Sequence, residues 1–242
     1  MQMNNVSNLT VQDRTFLFLR KSILDLTLSP GAVMSSGGIA NMMKVSRTPV
    51  REAFIRLEQE GLVNIIPQKE TIVSPIDLER VAQEQFLREG LEVAALEPCV
   101  KLCTQEDIEK LRVLISLQRE RAEKGDHVAS IEFDDKFHQM IFTIAGQELS
   151  WNVIEGMGGH YRRVRLLVKH FDEVTNRALK QHEEIVSALE EKDYLKAQAI
   201  ARNHVRKISA EVEMIREKYP DYFRVAGEEP FVMDYANLKV QR

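Results

Sequence analysis

Helix breakers are scarce in this sequence, and long apolar runs are missing from it. With 44% hydrophobic residues but only 11 glycines and 7 prolines, the 242-residue chain can bury one large core or two modest ones. No stretch approaches the ~18 uninterrupted apolar residues that a spanning helix requires. The opening MQMNNVSNLT has no basic start followed by an apolar run, so the expectation is a soluble cytoplasmic protein without a membrane partner. Cysteine is almost absent. Cys99 and Cys103 sit one helical turn apart, which suits two reduced thiols on one helix face better than a disulfide framework. They read as small buried hydrophobes, with redox or metal use as the alternative.

A large excess of either charge is lacking too, since the net charge is -4. The division along the chain is uneven. Residues 1–75 carry eight Lys/Arg against six Asp/Glu, while residues 76–242 carry 25 against 31. The break falls at Ser74-Pro75-Ile76-Asp77, where Pro75 disfavours helix before it and Asp77 can cap the helix after it. The chain therefore divides into 1–75, a second part over 78–217, and a tail over 218–242.

In the first part, Phe16, Leu19, Ile23 and Leu26 recur at helical spacing until Ser29-Pro30-Gly31, which predicts a first helix ending near Leu28. A second short helix fits Ser36 to Met43. A third starts with Ser46 or Thr48 as cap and Pro49 in its first turn, and stops at Gly61. Two β-branched runs, Leu62 to Ile66 and Thr71 to Ser74, flank Pro67-Gln68-Lys69-Glu70 as a hairpin. Three helices and a hairpin make a winged helix-turn-helix. On the third helix Val50, Phe54 and Leu57 share one face, leaving Arg47 and Arg51 to project together near the N-terminus. A recognition helix enters the major groove with that end, and arginine forks match guanine O6 and N7. The alternative is that both arginines are solvated, or paired with Glu52 and nearby acids.

The second part holds one proline, Pro98, up to about residue 217, and repeats apolar residues every three to four positions. It predicts helices over roughly 78–102, 104–124, 126–144, 147–170, 172–191 and 193–217, packed as a compact antiparallel bundle with room for a small-molecule cavity. Gly156-Met157-Gly158-Gly159 is awkward inside the fourth of these and marks a kink or a close backbone approach. Asp134 and His138, one helical turn apart, can aim at one point, and His182 and His204 follow on later helices. One carboxylate and three imidazoles suit Zn²⁺ or Ni²⁺. Taken singly, each histidine reads as readily as a surface or hydrogen-bonded residue. His160 is either a support for the metal ligands or a hydrogen-bonded core residue.

Two sets of residues carry a resemblance. Val45-Ser46-Arg47-Thr48-Pro49-Val50-Arg51-Glu52-Ala53, with Arg56-Leu57-Glu58 and Glu60-Gly61-Leu62-Val63, resembles the signature of the GntR family of bacterial transcription regulators. That resemblance implies that Arg47 and Arg51 contact an operator, with the hydroxyls of Ser46 and Thr48 near phosphates. Two local departures stand out. Gly37 occupies a position where many relatives have a charged residue, and Gln68-Lys69-Glu70 replaces a glycine-containing wing tip, leaving Lys69 as a candidate phosphate contact. Asp134-x-x-Phe137-His138, Ala145-Gly146-Gln147, His182-x-x-Ile185 and the run from Ala197 to His204 are similar to the FCD effector domain of the FadR subfamily. This implies that Asp134, His138, His182 and His204 hold a divalent metal ion to which a small organic acid offers its carboxylate. Arg88 resembles an arginine facing the pocket in such domains. Arg163, Arg165 and His160 are further effector-site candidates.

The resulting expectation is a mainly α regulator: a winged helix-turn-helix followed by an all-α bundle, acting as a homodimer on a pseudo-palindromic DNA operator under control of a small carboxylate. A metal-sensing regulator without an organic effector, a metal-dependent hydrolase and an interaction module that does not bind DNA are the rivals. The aromatic tail, with Tyr222, Phe223, Phe231 and Tyr235, is expected to pack on the bundle or on a partner subunit.

Overall fold

The computed structural model describes residues 9–224, and its architecture is ten helices, α1 to α10, with a small three-stranded sheet among those residues. The first helix, α1 (Val11–Leu24), is capped by Thr10, whose hydroxyl accepts from the Asp13 amide. It buries Phe16, Leu19 and Ile23 and ends four residues earlier than the periodicity suggests. Leu26 adopts φ 58, a left-handed turn with no glycine to announce it. The side chain of Leu26 instead packs on a junction core described below.

Helix α2 (Ser36–Met43) has the predicted bounds. Helix α3 (Arg47–Gln59) starts after Ser46, which occupies the cap position without a side-chain cap bond. Val50, Ala53, Phe54 and Leu57 pin α3 to the winged-helix core. The hairpin forms from β2 (Val63–Ile66) and β3 (Glu70–Val73). A further two-residue strand, β1 (Val33–Met34), pairs with β3 and gives the order β1-β3-β2. Two residues are too few to show an alternation, so β1 left no trace in the sequence pattern.

The bundle comprises α4 (Leu78–Leu102), α5 (Gln105–Glu123), α6 (His127–Ile144), α7 (Glu148–Met157), α8 (Gly159–Val168), α9 (Asp172–Glu190) and α10 (Tyr194–Lys218). Asp77, Thr104, Asp126 and Asp193 each accept a backbone N–H at a helix start, satisfying donors that a helix leaves open. The expected helix over 147–170 is two helices broken at Gly158. A Cβ on Gly158 would stand 2.8 Å from the Ile154 carbonyl oxygen, and one on Gly159 would stand 2.7 Å from Leu62 Cδ2. The glycine run therefore makes both a break and a close approach, and the approach is to the winged helix. Cys99 and Cys103 are free and buried, and burial raises both thiols, Cys99 to about 12.

The apolar core has three clusters: one within residues 16–73, one within the bundle, and a third at the junction around Ile76, Tyr161, Val164, Leu167 and Phe223. Phe223 arrives there because the chain turns after α10 and forms a parallel bridge with Ile76. The start of the expected tail thus packs on the link between the two parts, while residues 225–242 lie outside the described residues. No helix among the described residues is long and apolar enough to cross a membrane.

Candidate DNA-reading surface and metal centre

Ser46, Arg47, Thr48 and Arg51 are all exposed at the N-terminal end of α3. Among the described residues neither Arg47 nor Arg51 is in an ion pair, whereas Arg56, one turn further on, pairs with Asp13 at 3.0 Å and lies 3.7 Å over the Phe16 ring. The pairing with Glu52 is not formed. The Arg47 guanidinium rests beside Gly37, where a Cβ would meet Arg47 Nη2 at 3.5 Å. Lys69 is exposed at the hairpin tip beside Gln68, which takes φ 60.

The three histidines come together from α6, α9 and α10. His138, His182 and His204 are buried, and their candidate ligand atoms lie within 4.8 Å of one another. Each ring is oriented by an acceptor at Nδ1: Glu92 Oε2 at 3.1 Å for His138, Gln118 Oε1 at 3.0 Å for His182, and Gln181 Oε1 at 3.0 Å for His204. With the proton held at Nδ1, each Nε2 keeps its lone pair, as metal-binding imidazoles require. His182 Nε2 and His204 Nε2 face each other at 3.3 Å, and His138 Nε2 is buried without a hydrogen-bond partner. Three converging imidazole nitrogens, one of them orphaned, fit a cation. Burial holds His182 well below its ordinary range and takes His204 down to about 3, so both rings are neutral donors.

Asp134 stands 3.7 Å from His138 Nε2, but other groups share its oxygens. Oδ1 accepts from Gln118 at 2.8 Å and Lys169 at 2.9 Å, and Oδ2 accepts from Arg165. Burial alone would raise this carboxyl; Lys169 and Arg165 hold it well below the carboxylate range. The supporting residues Glu92, Gln118 and Gln181 were not found from the sequence. Glu92 follows Arg88 by one turn and Gln181 precedes His182, signals too ordinary to act on alone.

A cavity of about 410 Å³ lies between α1 and the helices α4, α6, α7 and α8. Arg88 and Arg165 line it with Trp151 and Tyr161, whereas none of the three histidines does. Arg88 Nε donates to Glu92 at 2.5 Å, so Arg88 stands between the cavity and the His138 support. Arg163 and His160 are elsewhere. The Asp77 N–H donates to His160 Nδ1 at 3.0 Å, and His160 Nε2 donates to the Gly61 carbonyl at 3.1 Å. Arg163 Nη1 donates to the Ser74 carbonyl at 2.7 Å. Together they tie α8 to the end of α3 and to the link between the parts. Burial, then Arg163 and Arg80, push His160 well below its usual range, consistent with a neutral ring wedged at a junction.

Residues 12–73 match the bacterial regulatory proteins of the gntR family, and residues 85–207 match the FCD domain. The HTH-type transcriptional repressor RspR of Escherichia coli is 32% identical over 215 residues, covering 88% of this chain and 93% of its own. An HTH-type transcriptional regulator from an unstable DNA locus of Streptomyces ambofaciens is 36% identical over 208 residues, 86% of this chain and 87% of its own. The solved structure of E. coli McbR/YncC shares the fold, with a TM-score of 0.74 at 19% identity over 87% of this chain and 99% of that one. The chain belongs to the GntR family of bacterial transcription regulators, carries an FCD domain, and is a regulator rather than an enzyme.

Proposed function

We propose that this regulator binds a pseudo-palindromic operator as a homodimer, and that a small organic acid bound beside a divalent cation in the bundle sets its operator affinity. In this reading residues 1–75 are the DNA-reading unit, 78–217 the effector unit and 218–242 a tail. Arg47 and Arg51 read base edges, while Ser46, Thr48 and Lys69 approach phosphates. Each good bidentate arginine contact is worth about 1–3 kcal/mol of discrimination. His138, His182, His204 and Asp134 hold Zn²⁺ or Ni²⁺, which supplies a Lewis-acidic centre for a carboxylate. Arg88 receives the acid from the cavity side, with Arg165 in place of the expected Arg163 and His160. The single observation that carries the metal reading is the buried, unpartnered Nε2 of His138 facing two other imidazole nitrogens.

Two measurements test this. Selection of bound duplexes from a random pool at about 150 mM salt, where nonspecific phosphate binding has weakened, should yield a symmetric motif for the wild type and none for Arg51→Ala. Metal analysis after dialysis against Zn²⁺ or Ni²⁺ should find a bound cation in the wild type and none in His182→Ala. Bound metal in both proteins, or in neither, would remove the histidines from that role. A second reading makes the cation itself the signal. It is favoured by the small voids beside His204 and His138, about 30 and 10 Å³, which are too small for an organic acid. Operator affinity that follows metal concentration with no acid present would select it.

A further inference from the structure

Helix α3 exposes Arg47, Thr48, Arg51, Glu52, Arg56 and Gln59, all polar or charged, and with them one apolar residue, Ile55. Ile55 is 51% exposed and belongs to none of the three apolar clusters among the described residues, so the fold does not account for it. A single exposed aliphatic side chain is ordinary on a protein surface; its position on this helix is not. Residues turn by about 100° each along an α-helix, which sends the buried Val50, Ala53, Phe54 and Leu57 to one side of α3 and Thr48, Arg51 and Ile55 to the other. Ile55 lies about 40° round the helix from Arg51 and one turn, about 6 Å, further along it.

The neighbouring long side chain leaves that face open. Arg56 is drawn back to Asp13 and lies over the Phe16 ring, so its aliphatic stem does not cover Ile55. Chemistry then narrows what Ile55 can meet. The edges of the bases offer hydrogen-bond donors and acceptors in the major groove, and one apolar group, the C5-methyl of thymine. Isoleucine neither donates nor accepts, and that methyl is the base-edge feature it matches. It is a shorter side chain than arginine, but the methyl stands out from the base into the groove and shortens the gap. Successive base pairs are about 3.4 Å apart, so one turn of α3 lying along the groove spans roughly two of them.

We propose that Ile55 is a specificity-determining residue that packs against the methyl group of a thymine in each operator half-site, about two base pairs from the pair read by Arg51. The proposal rests on the preceding reading of Arg51 as a base contact and adds a position read without hydrogen bonds. Removing one buried methyl group costs about fourfold in affinity. Ile55 therefore sets the preference at one base pair and contributes little to overall affinity. Its contribution also differs from a phosphate contact in releasing no counterion, so it leaves the salt dependence of binding unchanged.

The test compares duplexes that differ by a methyl group alone. Full-length wild type, Arg51→Ala and Ile55→Ala are each used to select bound duplexes from a random pool. The selected wild-type operator is then remade with deoxyuridine replacing, in one half-site, the thymine about two base pairs from the pair whose preference Arg51→Ala loses. Wild type should bind the deoxyuridine duplex about fourfold more weakly, equally so at low and high salt, whereas Ile55→Ala should bind both duplexes alike and select no base at that pair. Ile55→Ala should keep its melting temperature, because the side chain lies outside the apolar clusters, and keep the preference at the Arg51 pair. A motif lost in Arg51→Ala but lacking that thymine, or bound equally by wild type with either base, would overturn the proposal and leave the operator reading standing. Undiminished sensitivity to the methyl group in Ile55→Ala would assign the contact to another residue and overturn it too. No symmetric motif for the wild type would sink the Arg51 reading and this proposal with it.

Discussion

Glu84 shows how much one buried group can record. Burial takes its carboxyl from 4.5 up to about 7 despite the Tyr161 N–H that it accepts and the nearby Arg80 and Arg163. The folded protein therefore binds this proton more tightly than the unfolded chain. Its contribution is complete below pH 4.5, falls as the unfolded chain ionises first, and is lost once the pH passes about 7. The difference is worth about 3 kcal/mol. Glu84→Gln keeps an acceptor for the Tyr161 N–H and carries no charge. Its melting temperature relative to wild type should rise between pH 5 and 7 and level off above; an equal gap at pH 5 and pH 8 would show that the Glu84 carboxyl is not raised by folding. Legibility at this scale followed chemistry. Arg47, Arg51 and the three histidines stood out because the resemblance to the GntR and FCD signatures falls on them; their spacing alone fits solvated or hydrogen-bonded side chains as readily. Gln118 and Gln181 orient two of the rings as firmly as Glu92 orients the third, yet a glutamine on a helix signals nothing in one dimension. His160 and Arg163 were assigned to the effector because they are basic and near the right helix, whereas they bond to each other and to backbone atoms that no side-chain pattern reveals.

Among the elements, the glycine pair at the α7–α8 break is the most telling. Gly159 lets α8 approach Leu62 so closely that an added methyl would meet Leu62 Cδ2 at 2.7 Å. Gly159→Ala should destabilise the protein by about 1–3 kcal/mol, as overpacking does, measured by urea denaturation. Unchanged stability would mean that α8 and the winged helix are free to separate. Helix bounds such as Ser36–Met43 and the starts after Asp77, Thr104, Asp126 and Asp193 were readable because caps and apolar periodicity act locally. The end of α1 was not, since the Leu26 turn is stabilised by packing on the junction core rather than by a local breaker. Strand β1 exists only because β3 offers it a partner. Local physics fixed the helices, and the exceptions are places where a distant segment decides.

For the whole molecule, the essential feature is that helix α3 and the three converging histidines are joined through packed parts rather than through a free linker. The Gly61 and Ser74 carbonyls and the Asp77 amide all bond to α8, and the chain after α10 returns to Ile76. The proposed control requires this junction to take two arrangements that a ligand distinguishes by its differential affinity. The most direct test is equilibrium anisotropy of the selected operator with metal-loaded protein, titrated with a panel of small carboxylates. Coupling of ordinary size shifts operator affinity by roughly 5- to 150-fold, and that shift should vanish in His182→Ala. An operator affinity that stays constant with every carboxylate that binds the metal-loaded protein would contradict the account.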